Sequence, residues 1–209
     1  MVATPKPKGD KYYGRVAEIY NKKRSKQKWW HVEHEEMRSL LSTLPEGLSV
    51  VDIPFGTGRF VPLYTDRGFK VSGLEISGHM VAAARKDLGN QFADCDVRIG
   101  SAMDVPFDSE SFDLVVSTRF LSNIVTYADA RKALYEFNRI SRRYGILQLG
   151  HNIGETVQPD PNQTMDTIMS KKAVDDLLGE FGFKILERRL VLEGPAEGGQ
   201  MHHILCEKT

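Results

Sequence analysis

The chain has 209 residues, and at about 150 residues per domain this length predicts one domain with an appendage. Hydrophobic residues make up 41% and charged residues 27%, which fits a core-forming protein and excludes disordered and collagen-like classes. No window holds the roughly 18 consecutive apolar residues of a membrane span, and the N-terminus lacks the apolar stretch of a signal peptide. We therefore expect a cytoplasmic protein with no membrane span.

Charge is zero overall but unevenly distributed. Residues 1–28 hold seven Lys and two Arg against Asp10 and Glu18, a net charge of +7 that the rest of the chain balances. This segment is either a solvated arm or a lid that attracts an anionic ligand, while overall neutrality disfavours a dedicated nucleic-acid binder. Cys95 and Cys206 have no metal-ligand spacing, so we predict neither a disulfide framework nor a metal site.

The predicted elements begin with helices over residues 11–44. A first apolar block, with Val16, Ile19 and Tyr20, is followed by a break at the basic run Asn21–Lys28. A second block repeats at helical spacing and predicts one buried face, formed by Met37, Leu40, Leu41 and Leu44. We treat residues 1–44 as an N-terminal basic arm and helical lid, and residues 45–209 as the main domain.

From Ser49 onward, short strands alternate with helices. In chain order these are LSVVDI, a helix near Arg59–Asp66, KVSGLEI, a helix near Gly78–Leu88, DVRIGSA, FDLVVST, a helix near Tyr127–Ser141, YGILQLG, a helix near Lys171–Phe181, FKILERRLVLE and MHHILCEKT. This alternation predicts an α/β fold with a doubly wound parallel sheet and helices on both faces. The last two strands have no helix between them and are expected to pair as an antiparallel hairpin.

Three acidic residues each follow one of the first three strands. Asp52 ends the first strand in VVDIPFGTGRF, before a turn whose Gly56 and Gly58 let a ligand approach the backbone. Glu75 ends the second strand, where a carboxylate can accept two hydrogen bonds from a ribose diol, and Asp104 follows the third. Ligands of open α/β sheets bind at this edge, so the sequence predicts a nucleotide-like ligand there.

On these residues the sequence resembles the class I S-adenosylmethionine-dependent methyltransferases, particularly their small-molecule branch, over about Tyr12–Thr209. VVDIPFGTG is similar to the family's first motif, GLEIS to its ribose-binding motif, and GSAMDVPFDSESFDLVVS to its adenine-contacting loop. The resemblance implies a Rossmann-like seven-stranded sheet of order 3-2-1-4-5-7-6 with the last strand antiparallel. It also implies S-adenosyl-L-methionine as cofactor, S-adenosyl-L-homocysteine as product, and an activity of class EC 2.1.1.

The cofactor contacts implied by the resemblance are Asp52, Gly56 and Gly58 for the methionine moiety, Glu75 for the ribose, Ile76 or Met80 for one adenine face, Met103 through its backbone, and Asp104 for the exocyclic amine.

Two positions depart from the family. Pro54 replaces the first glycine of the motif and removes one amide donor. SRRYG replaces the Pro-Gly-Gly-like turn before the fifth strand, which leaves the alignment at residues 141–145 open.

Acceptor contacts are expected after strands four and five. His151 is a candidate general base or acceptor-orienting group, because imidazole titrates near neutral pH. Arg119 either binds an anionic acceptor or pairs with a carboxylate, and the polar segment Gly154–Asp166 is expected to cover the acceptor. From the other side, Tyr20 and Arg24 are expected to close over the cofactor and meet its carboxylate.

The sequence thus predicts methyl transfer to oxygen or nitrogen of a small or medium-sized metabolite. STRFLSNI after strand four lacks the Pro-Pro motif of enzymes that methylate base amines, which argues against DNA. Two alternatives stay open: an RNA methyltransferase steered by the basic N-terminus, and a catalytically silent regulatory subunit that binds the cofactor. A nicotinamide oxidoreductase is disfavoured, because the chain reads IPFGTGRF where that class has GxGxxG.

Overall fold

The computed structural model describes residues 12–152, 161–164, 169–193 and 199–209. Its helices are α1 Arg15–Glu18, α2 Tyr20–Arg24, α3 Lys28–Ser42, α4 Val61–Asp66, α5 Gly78–Leu88, α6 Asn90–Ala93, α7 Tyr127–Ile140 and α8 Lys171–Glu180. Its strands are β1 Ser49–Asp52, β2 Lys70–Glu75, β3 Asp96–Ile99, β4 Phe112–Ser117, β5 Ser141–His151, β6 Phe183–Glu193 and β7 Gln200–Lys208. Within the described ranges, no helix is both long and apolar enough to cross a membrane.

The seven strands form one sheet in the order β3-β2-β1-β4-β5-β7-β6, as predicted. The first five strands are parallel to one another, and β7 runs antiparallel to both β5 and β6. Chain order reverses at β1, because β2 and β3 extend to one side of it and β4 to the other. The carboxyl ends of β1, β2 and β4 therefore meet at the edge where such sheets bind ligands.

Each face of the sheet carries its own core. Leu147 of β5 packs in the core beneath α7 and α8, whereas its neighbour Ile146 packs in the core beneath α3 and α4. This alternation follows from the two-residue period of a strand, and both faces are apolar because helices cover both. Polar side chains close the helix starts: the Ser77 hydroxyl accepts from Met80 N–H, and the Thr126 hydroxyl accepts from Asp129 N–H.

The N-terminal helices confirm one prediction and correct another. The predicted buried face of the second block is confirmed at Met37, Leu40 and Leu41 of α3 and at Leu44 just after it. In the first block, Val16 and Ile19 are 48% and 41% exposed, and Ala17 is the buried residue of α1. The predicted break at Asn21–Lys28 is too wide, because α2 continues to Arg24 and α3 begins at Lys28.

The segment SRRYG belongs to strand β5, whereas the sequence analysis placed it before that strand, where the family has a turn. Helix α7 ends at Ile140 and β5 begins at Ser141, whose hydroxyl donates to the carbonyl of Tyr144 (3.1 Å). The pairing of β4 with β5 shifts register between Phe112 and Leu114, which absorbs the extra length. Residues 1–11 of the predicted arm, most of the predicted acceptor-covering loop, and residues 194–198 of the hairpin lie outside the described residues.

Candidate functional site

The loop after β1 places two glycines in the left-handed region, for different reasons. Gly56 has a φ of 59° and borders a cavity, where an added Cβ would meet nothing closer than Met80 Cε at 3.8 Å. Gly58 has a φ of 66° and faces inward, where a Cβ would lie 2.6 Å from Leu88 and 2.9 Å from the Phe55 ring. Gly56 therefore keeps backbone open to the cavity, and Gly58 is required for packing.

Glu75 stands at the end of β2 with both carboxylate oxygens fixed by the backbone. Oε2 accepts the Gly56 N–H at 2.8 Å, and Oε1 accepts the Ser77 N–H at 2.9 Å. Burial raises the pKa of Glu75, and the backbone donors oppose this rise. Each oxygen of a carboxylate has two lone pairs, so this oriented group can still accept hydrogen bonds from a vicinal diol in the cavity.

Asp52 lies beneath the same cavity and is only 3% exposed. The Tyr64 hydroxyl donates to its Oδ2 at 3.0 Å. Burial raises the pKa of Asp52 to about 7, although this hydrogen bond and Arg59 oppose the rise. A cationic group entering the cavity here would meet a carboxyl that can release its proton near neutral pH.

The cavity extends from these residues to the end of β4 and to the N-terminal helices. Further lining residues that the argument below uses are Tyr12, Tyr20, Arg59, Ile76, Met80 and Arg119. The lining is mostly apolar apart from the two carboxyl groups at its base and the two guanidinium groups at its side. Such a surface suits a ligand with a flat apolar part and a few polar groups.

A buried glutamate on α3, Glu33, binds the two arginine side chains at the side of the cavity. The sequence analysis did not identify this residue. Glu33 is 0% exposed, and its Oε2 accepts from Arg59 at 2.5 Å. Its Oε1 accepts from Gln148 at 2.7 Å and forms an ion pair with Arg119 at 2.6 Å. Burial alone would raise the pKa of Glu33, but Arg59 and Arg119 hold it below its ordinary value.

Arg119 is fixed by this cluster in an unusual backbone conformation. Its φ is 56°, a left-handed value that non-glycine residues seldom adopt, and its N–H donates to Gln148 Oε1 at 2.6 Å. Its guanidinium lies 3.8 Å from the centroid of the Trp29 ring. Strained residues of this kind concentrate at functional sites, where surrounding contacts hold them.

Helix α2 is tied directly to the loop after β1. The Thr57 hydroxyl donates to Asn21 Oδ1 at 2.6 Å, and the Asn21 amide donates to Asp87 on α5 at 2.6 Å. The Ser77 hydroxyl also donates to the backbone carbonyl of Tyr12 at 2.9 Å. The N-terminal segment from Tyr12 is therefore docked across the cavity by side chains of the main sheet's loops.

Comparison with known proteins agrees with this arrangement. Residues 51–149 match the family model described as a methyltransferase domain. This match covers just under half of the chain, so the central part of the sheet is similar to a methyltransferase domain. The chain superposes on a magnesium protoporphyrin IX methyltransferase from Synechocystis PCC 6803, solved with bound cofactor, with a TM-score of 0.70, 15% identity and full coverage of both chains. The predicted strand order is confirmed, and these similarities support the predicted family and cofactor.

Two curated proteins are similar to this chain over different lengths. A demethylmenaquinone methyltransferase from Chlamydia pneumoniae is 24% identical over 93% of this chain and 95% of its own length. An uncharacterized methyltransferase from Staphylococcus carnosus is 33% identical over 42% of this chain. The chain spans only 39% of the length of the Staphylococcus protein.

The structure brings most of the predicted cofactor residues, and the predicted acceptor contact Arg119, to one place. Those that line the cavity are Tyr20, Asp52, Pro54, Gly56, Glu75, Ile76, Met80 and Arg119. Arg24 lines a second cavity that adjoins it. Sequence analysis did not select Glu33, Arg59 or Gln148. One signal was present in the sequence: Glu33 occupies a position on the apolar face of α3, where a charged residue needs a buried partner.

Four predicted residues do not reach either cavity. Gly58 faces Leu88, Met103 packs against the core beneath α7, and Asp104 is exposed with its N–H on the Ser101 carbonyl (3.2 Å). His151 is buried on the α8 face of the sheet, where its ring stacks on His202 at 4.9 Å. The alternation of β5 explains this, because Gln148 and not His151 faces the α3 side on which Arg119 lies.

Proposed function

We propose that this protein transfers the methyl group of S-adenosylmethionine to an oxygen or nitrogen atom of a small or medium-sized metabolite. When bound, the cofactor supplies a methyl group activated by its cationic sulfur. The observation that carries the proposal is the fixed carboxylate of Glu75 beside the open backbone of Gly56. The names of the Chlamydia and Synechocystis relatives, which refer to demethylmenaquinone and to magnesium protoporphyrin IX, support an organic acceptor.

In this proposal, different residues of the chain bind different parts of the cofactor. Glu75 accepts hydrogen bonds from the ribose hydroxyls, and Asp52 with Gly56 holds the methionine moiety. Ile76, which is 38% exposed, and Met80 cover one adenine face. Residues 1–44 act as a lid, since Asn21 and Tyr12 already bind loops of the main domain.

The acceptor is held by orientation rather than by a dedicated base. Placing the acceptor atom in line with the methyl group can contribute on the order of 7 to 11 kcal/mol without a catalytic side chain. Arg119 lines the cavity and is therefore a better candidate than His151 for contacting the acceptor. The ring of His151 instead stacks on His202. We therefore assign acceptor binding to Arg119.

The test is calorimetric titration with S-adenosylmethionine, S-adenosylhomocysteine and NAD⁺. We expect the first two to bind and NAD⁺ not to bind. Glu75→Ala is expected to weaken cofactor binding by about 1.5 to 3 kcal/mol, the value of hydrogen bonds to a charged group. Asp94→Ala, at an exposed carboxylate, is the control and is expected to change nothing. An unchanged dissociation constant in a folded Glu75→Ala protein would refute the ribose assignment.

A metabolite screen then addresses the acceptor atom, with paired compounds that differ only in a hydroxyl or an amino group. Methylation of one member of each pair assigns oxygen or nitrogen. Cofactor binding with no turnover, together with a stable complex with another protein, would instead favour the silent regulatory subunit.

RNA as acceptor is favoured by one observation, the exposed lysines Lys22, Lys23, Lys26 and Lys28. Deleting residues 1–28 is a poor test, because Tyr12, Tyr20 and Arg24 in that segment line the two cavities. Replacing the four lysines with glutamine leaves those residues intact. Salt-dependent RNA binding that is lost in this variant would favour an RNA methyltransferase.

A further inference from the structure

A second cavity adjoins the first at the N-terminal helices, and we name it the basic cavity. It is lined by Tyr20, Arg24, Trp29, Arg119 and Asn123, among others, and holds about 180 Å³. This is far more than one water molecule needs. Tyr20 and Arg119 border both cavities, so a group in the basic cavity lies next to a ligand in the first.

The charges around the basic cavity do not balance. Arg24 and Arg119 line it, and no described acidic side chain does. Glu33 is the carboxylate partner of Arg119, but it also neutralises Arg59. The side-chain partner of Arg24 is the neutral Gln27, at 3.5 Å. Two guanidinium groups thus share the Glu33 carboxylate, and Arg24 has no carboxylate partner among the described residues, so the excess positive charge is at the cavity wall.

The guanidinium groups are also pre-oriented. Arg119 lies 3.8 Å from the Trp29 ring centroid, and Arg24 lies 5.6 Å from the same ring and 5.5 Å from Tyr20. Stacking on an aromatic face holds a guanidinium plane while its N–H edge stays available to an anion. Arg119 Nε is buried without an acceptor among the described residues. An unmet buried donor of this kind carries a desolvation cost, which adds to the unbalanced polarity of this region.

We propose that the basic cavity binds an anionic group of the methyl acceptor, a carboxylate or a phosphate, with Arg24 and Arg119 as the recognition residues. This inference rests on the proposed function and names the substrate class for it. Arginine suits the task because its planar fork binds such groups through two parallel hydrogen bonds. The acceptor atom then extends past Tyr20 and Arg119 into the first cavity.

The test is a two-stage calorimetric titration of the full chain. S-adenosylhomocysteine is titrated first, and benzoate, phenyl phosphate and neutral benzamide are then titrated separately at millimolar concentrations into the saturated protein. We expect one of the anions to bind and benzamide to bind at least about tenfold more weakly, as charged hydrogen bonds predict. Which anion binds distinguishes a carboxylate acceptor from a phosphorylated one.

Variants on α2 locate the anion. Arg24→Gln is expected to weaken anion binding about tenfold, whereas the sequence-based assignment of Arg24 to the cofactor's carboxylate predicts weaker S-adenosylhomocysteine binding instead. Lys23→Gln removes the same charge from an exposed position on the same helix and is expected to change neither. If Arg24→Gln does not fold, the parent's anion binding is measured across a salt series, where a loss with added salt is expected.

Three outcomes would overturn the inference. Equal binding of benzamide and the anions would show an apolar pocket without charge recognition. Absence of anion binding, with Arg24→Gln weakening S-adenosylhomocysteine instead, would show that the cofactor's own carboxylate uses these arginines. In both cases the proposed function survives. Failure of S-adenosylhomocysteine to bind would overturn the proposed function, and this inference with it.

Discussion

The buried carboxyl of Asp52 makes a quantitative prediction about stability. Burial raises its pKa from an ordinary value of 3.8 to about 7, so between these two pH values the folded protein binds a proton that the unfolded chain has released. Stability therefore falls as pH rises through this window, since the unfolded state binds fewer protons there. Below pH 4 the penalty is absent, and above pH 7 it is complete.

The size of the penalty follows from the difference of about 3 pH units. Each unit corresponds to about 1.4 kcal/mol, so ionised Asp52 costs on the order of 4 kcal/mol of folding free energy at pH 8. Asp52→Asn keeps the shape of the carboxyl group and an oxygen that can accept from the Tyr64 hydroxyl. We expect the variant to be more stable than the parent at pH 8, by up to this amount, and the difference to vanish towards pH 4.

Urea denaturation at several pH values between 4 and 8 measures this difference, with Trp29 and Trp30 on α3 as the fluorescent probes. Taking variant minus parent at each pH cancels the titration of all other groups that both proteins share. Asp66→Asn, at an exposed position at the end of α4, is the control and is expected to give a flat difference. A difference that is the same at pH 5 and pH 8, or a less stable variant at pH 8, would refute the reasoning.

Two further substitutions probe the site's packing and its buried charges. Gly58→Ala is expected to cost about 1 to 3 kcal/mol more than Gly68→Ala in urea denaturation, because both have φ near 67° but only Gly58 is crowded; equal costs would contradict this. Glu33→Gln is expected to cost about 3 kcal/mol by leaving two partly buried guanidinium groups with no counter-charge, whereas Glu35→Gln, 70% exposed, is near neutral. A Glu33→Gln protein of parental stability would show that the cluster does not stabilise the fold.

The sheet and its ligand edge were predictable because they depend on local patterns. Helix α5 begins at Gly78 and ends at Leu88 as expected, since Ser77 caps its start and Gly89 with positive φ ends it. Glu75 was predictable as a cavity residue because parallel strands bring their carboxyl ends to one edge. SRRYG was misjudged, because whether a polar segment pairs as a strand depends on the partner strand beside it.

The sequence by itself therefore determined the class of fold, the order of its elements and the acidic residues that follow the strands. Only the tertiary structure decided which of these side chains share a cavity. Glu33, Arg119 and Gln148 are separated by up to 115 positions in the chain, and no periodicity links them. Their contact depends on how α3 packs across β6 and β7, beside β5. His151 lies outside the site for a related reason. A shift of one residue along a strand decides which face of the sheet a side chain occupies.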